Sequence, residues 1–111
     1  MPKLPNAERA VVPIEKTRDY CLNPEHDEGK HKAEVFRRLF GFTQADAERL
    51  REMILAAART FDASEGQTLA HGQMYTLDFP AQSLRGEVTI RTAWIVERST
   101  DFPRLVTCYV K

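Results

Sequence analysis

The sequence predicts an α+β domain, with three N-terminal helices packed on one face of a three- to four-stranded antiparallel sheet. Three observations predict it. Apolar residues recur at helical spacing up to residue 60. From residue 73 they alternate as in a strand, and β-branched residues accumulate. The strand-like segments are separated by short connections, which makes consecutive strands antiparallel neighbours. A chain of 111 residues supplies one domain. It divides into a lead-in over 1–12, a helical half over 13–60 and a sheet over 73–110.

The lead-in carries Pro2 and Pro5 and reads as extended, with Val11 and Val12 as a short edge strand. Pro13 suits the first turn of a helix, where its missing N–H costs nothing. That helix is expected over 14–22, ending at Asn23-Pro24 because the residue before proline avoids helical geometry. A polar loop over 25–29 leads to a second helix over 30–40, with Val35, Phe36, Leu39 and Phe40 on its apolar stripe and Gly41 as its C-terminal cap. Thr43 and Asp46 form a variant capping box for a third helix over 44–60. Ala47, Leu50, Ile54, Leu55 and Ala58 form its stripe. Residues 61–72 read as a loop. Strands follow over 73–79, stopped by Pro80, over 87–97 and over 104–110.

Side chains alternate along a strand, so each has two faces. The helix side is expected to take Tyr75, Leu77, Phe79, Val88, Ile90, Thr92, Trp94, Val96, Val106, Cys108 and Val110. Trp94 should be buried against Phe36, Leu50 or Ile54. The opposite face gathers Thr76, Asp78, Thr89, Arg91, Thr107 and Tyr109, with Met74, Ala93, Ile95 and Leu105 among them. A half-polar open face with an arginine near its middle is a candidate binding surface.

Sixteen basic and sixteen acidic residues give zero formal net charge, which argues against loose, charge-driven binding to nucleic acid or membrane. There is no apolar signal region and no apolar run of membrane-spanning length, so a cytoplasmic protein without membrane contact is expected. Cys21 and Cys108 match no metal or redox spacing and read as two buried small hydrophobes. His26, His31 and His71 share no helix at i, i+4 spacing and have no cysteine close by in sequence, so neither metal nor cofactor is expected. No phosphate-binding glycine loop and no nucleophile elbow is present.

Lys30-His31-Lys32 places cations at a helix N-terminus, against the helix dipole. Lys32 falls on the stripe of Val35, Phe36 and Leu39, so its stem should lean toward the domain.

Three stretches carry a resemblance. They are Gly29-Lys30-His31-Lys32-Ala33-Glu34-Val35-Phe36, Val88-Thr89-Ile90-Arg91-Thr92-Ala93-Trp94-Ile95-Val96 and Pro103-Arg104-Leu105-Val106-Thr107-Cys108-Tyr109. In order and spacing they resemble a family of bacterial domains of unknown function, over nearly the whole chain. The layout in turn looks like the superfamily of small ribonuclease toxins that includes barnase, EndoU and the colicin E5 and D nuclease domains. That resemblance implies a metal-independent endoribonuclease of a toxin–antitoxin or competition system. RNA would be its substrate and an antitoxin or immunity protein its partner. It implies Arg91 as a phosphate clamp, Thr107 as a hydrogen-bond donor to phosphate and Tyr109 as a stacking group or acid. Lys32 or His31 would be the base or a second clamp. The alternative that the residues allow is a non-enzymatic protein-interaction module or binding domain.

Overall fold

The computed structural model describes residues 2–111. Four strands, β1 (Ser64–Leu69), β2 (Gly72–Ser83), β3 (Gly86–Glu97) and β4 (Arg104–Val110), form one antiparallel meander in the order β1-β2-β3-β4. Two α-helices precede it, α1 (Lys30–Phe40) and α2 (Ala47–Thr60). Among the described residues no helix is long and apolar enough to cross a membrane.

Both α-helices start and stop for local reasons. Gly41 ends α1 at φ 72, where a side chain would be strained. Thr43 and Asp46 close a reciprocal capping box, with the Thr43 N–H donating to Asp46 Oδ2 at 2.9 Å. The box opens a 3-10 turn over Gln44–Asp46, and α2 continues from it. The expected first helix takes a different form. Its regular part is a six-residue π-helical turn, Lys16–Cys21, with the Leu22 N–H bonded to the Thr17 carbonyl at 2.9 Å. The Asn23 side chain donates to the Asp19 carbonyl at 3.2 Å and accepts from the Glu25 N–H at 2.9 Å, which turns the chain out of the helix ahead of Pro24. The lead-in is not simply extended. It makes a 3-10 turn over Ala7–Arg9, buries Leu4 and Val12, and bridges Val11 to Arg104 in parallel.

The expected loop over 61–72 contains β1. Its sequence, Ser-Glu-Gly-Gln-Thr-Leu, has little strand propensity, and pairing with β2 makes it a strand. Nor does Pro80 end β2, which runs on to Ser83. Pairing with β1 stops at Thr76, so the far half of β2 is a sheet edge. Pro80 faces Thr89, whose carbonyl accepts from the Lys111 N–H on the β4 side at 2.9 Å. Pro80 therefore presents its missing N–H to the open edge, and no ladder bond is lost.

The core joins Phe36, Leu50, Ile54 and Ala58 to Leu77, Phe79, Ile90, Trp94, Leu105 and Cys108. Trp94 is fully buried in this cluster, as expected. Leu105, expected on the open face, is buried instead. A β-bulge explains it: Ala93 faces Thr107, yet Trp94 faces Leu105, so Val106 is an extra residue. The bulge flips the alternation and turns Leu105 inward beside Trp94. Val106, expected on the helix side, is the unpaired residue. Ile95 also departs from expectation, being buried although it lies on the same face as Arg91.

Candidate functional site

The strand register fixes two parallel rows on the open face. One row is Asp78, Arg91 and Tyr109 across β2, β3 and β4. The next is Thr76, Ala93 and Thr107. The small Ala93 leaves the second row shallow at its centre.

Arg91 and Asp78 meet fork to fork, with Nε to Oδ1 at 2.8 Å and Nη2 to Oδ2 at 2.9 Å. Lys111 Nζ approaches the same carboxylate at 3.5 Å. The guanidinium holds the Asp78 carboxyl below the ordinary carboxylate range, and Asp78, with a smaller contribution from the Tyr109 hydroxyl, drives the Arg91 pKa upward. This corner borders an open depression of about 380 Å³ lined by Asp62, Ser64, Thr76, Asp78 and Arg91. Arg91, read from sequence as a phosphate clamp, thus has one edge of its fork already filled.

Lys32 enters the second row from outside the sheet. It lies in the first turn of α1, which packs beside β4 with the π-helical turn. Its ammonium donates to Tyr20 Oη at 3.1 Å and to Thr107 Oγ1 at 3.2 Å. It sits 5.0 Å from the centre of the Tyr20 ring and 5.2 Å from that of Tyr109. No carboxylate pairs with it among the described residues. Two of its three N–H groups are used, so it keeps both a donor and its charge. Lys16 lies 5.8 Å from the other ring contact of this group, the Tyr20 ring centre.

Two local devices bring Tyr20 there. A side chain at Gly29 would place its Cβ 2.2 Å from the Tyr20 carbonyl oxygen, so only glycine lets α1 start this close to the turn. The His26 ring stands edge-on to Tyr20 at 4.8 Å, while its Nδ1 accepts the N–H groups of Glu28 and Gly29, each at 3.0 Å. His26 is thereby occupied with building the loop.

Of the sequence-predicted residues, Lys32, Thr107 and Tyr109 converge, and Arg91 adjoins them through Tyr109. His31 does not join them. It is exposed on α1 and makes no hydrogen bond or ion pair among the described residues. The site also contains Tyr20, Asp78 and His26, to which the sequence alone gives no site role. Asp78 and Arg91 carried a signal, since both belong to the open face, but their pairing needs the register. Tyr20 carried none, because a helical reading of 14–22 gives it no distinguished face.

A family profile described as a domain of unknown function, DUF6883, matches residues 3–111. The chain belongs to the DUF6883 family. All the site residues of this DUF6883 chain, from Tyr20 to Tyr109, lie within the matched span. No curated protein and no solved structure matches it.

Proposed function

We propose that this DUF6883 chain is a metal-independent endoribonuclease of toxin type, acting at the β4 edge of the sheet. The observation that carries the reading is Lys32, a cation with no carboxylate partner among the described residues, held between two tyrosine rings by two hydroxyls. A positive charge flanked by aromatic faces is what a single-stranded RNA phosphate and its bases require. In the reaction the 2′-hydroxyl attacks the adjacent phosphate and yields a cyclic phosphate and a free 5′-hydroxyl. Lys32 and the Thr107 hydroxyl stabilise the charge that develops on the non-bridging oxygens. Tyr20 and Tyr109 stack on bases, and the Tyr109 phenol donates a proton to the leaving oxygen. The 2′-hydroxyl proton passes to solvent water, because His31 is exposed outside the cluster. Arg91, held by Asp78, positions Tyr109 instead of gripping phosphate.

The test is purified protein incubated with total and transfer RNA, with and without EDTA. Cleavage with cyclic phosphate ends is expected under both conditions. Lys32→Ala should slow it by on the order of 10²–10³, whereas His31→Ala should leave the rate near that of wild type. Intact RNA at high protein excess, or equal rates for wild type and Lys32→Ala, would overturn the reading. One observation favours a second account. Asp78 already neutralises Arg91, so the open face has less free positive charge than its arginine suggests. A module that binds an anionic partner without cutting it would use the same lysine, and would show binding to Lys32 without cleavage.

A further inference from the structure

Cys21 and Cys108 are 87 residues apart in sequence, yet their sulfurs lie 3.2 Å apart and both residues are fully buried. Cys21 ends the π-helical turn and Cys108 lies in β4. A disulfide needs a separation of about 2.05 Å, so the sulfurs have only about 1 Å to travel. Each cysteine is also bonded through the backbone to a site residue. Tyr20 precedes Cys21, and Thr107 and Tyr109 flank Cys108. Alternation along β4 points Cys108 into the core directly beneath the two residues that meet Lys32.

We propose that Cys21 and Cys108 are a redox pair, oxidised by a peroxide to an intramolecular disulfide that staples the π-helical turn to β4 under the Lys32 site. Cys21 is the attacking sulfur. The hydrogen bond from Cys108 lowers its pKa, with Lys32 and Lys16 adding to the effect, while the same contact and burial raise that of Cys108. The Cys21 thiolate attacks one peroxide oxygen and the O–O bond breaks. The departing hydroxide keeps its own proton, takes up the one that the Cys21 thiol had lost and leaves as water, while Cys21 becomes a sulfenic acid. The Cys108 sulfur then attacks Cys21 Sγ, the S–O bond breaks, and the sulfenic oxygen leaves with the Cys108 proton as a second water. Two thiols and one hydrogen peroxide thus give one disulfide and two waters. The peroxide reaches Cys21 when the short π-helical turn opens locally. Closing the sulfurs draws Tyr20 toward β4, and the seat of Lys32 moves with it.

The redox pair stands independently of the ribonuclease reading; only its effect on cleavage rests on that reading. The experiment exposes the folded wild-type chain to hydrogen peroxide and then measures mass, free thiols after unfolding, and melting temperature. The expected product is monomeric, lighter by two hydrogens and without titratable thiols. A cross-link spanning 87 residues should raise its melting temperature by on the order of 10 °C, reversibly on reduction. Cys21→Ala and Cys108→Ala should each lose that shift. Two surviving thiols, disulfide-linked dimers or a sulfinic acid product from the wild-type chain would overturn the proposal. In the RNA assay the oxidised chain should cleave more slowly than the reduced one by on the order of tenfold or more. Equal rates would refute the link to the site. Cleavage by neither form, with the disulfide formed, would count against the ribonuclease reading alone.

Discussion

Thr92 is a buried hydroxyl that serves two partners. It donates to the Leu77 carbonyl at 2.7 Å and accepts from Trp94 Nε1 at 2.7 Å. Trp94 can fill the core only because its N–H ends on that oxygen. Thr92→Val keeps the shape and leaves the indole N–H unpaired, so urea unfolding should show a loss of about 1–3 kcal/mol. Asp78 makes a prediction about pH. Its folded pKa is depressed by Arg91 first and Lys111 second. A depressed carboxyl contributes stability above its unfolded pKa and loses it as pH falls through the folded value. Wild type should therefore lose stability below about pH 4, and Asp78→Asn should flatten that part of the acid limb. A denaturation midpoint with the same acid slope in both proteins would remove Asp78 from the account. At this scale strand alternation placed Arg91, Thr107 and Tyr109 correctly on one face. The filling of the Arg91 fork was hidden, because alternation gives a face and not a partner.

Elements were legible where two independent local signals agreed. For α2 the capping box and the apolar period coincide, and for α1 the period ends at Gly41. The strand β1 was hidden because its polar residues pair only once β2 is in place. The bulge at Val106 was hidden for a similar reason, since an inserted residue leaves no mark in a short apolar run. Two variants probe how elements are seated. Phe36 is fully buried on α1, and Phe36→Ala should cost roughly 3–5 kcal/mol in a denaturant titration. Gly29→Ala drives a Cβ into the Tyr20 backbone and must push α1 away from the π-helical turn. It should destabilise by about 1–3 kcal/mol and also disrupt the Lys32–Tyr20 contact, which tyrosine ring shifts in an NMR spectrum would report.

For the whole molecule, zero net charge makes any anion binding a local matter. Binding through Lys32 should therefore show a shallow salt dependence, unlike that of a broadly basic surface. The fold class and the overall order of helices before sheet were readable from periodicity. The convergence of α1, the π-helical turn and β4 was not, because it joins residues far apart in sequence. The half of β2 beyond β1 is a row of backbone groups open to another chain, the arrangement from which sheets grow between molecules. Pro80 lies in that row, without a donor and with a ring that obstructs an incoming strand. Replacing Pro80 with Val should leave the folded chain intact yet turn a concentrated solution turbid, because the proline guards against self-assembly and contributes nothing to the ladder within the chain.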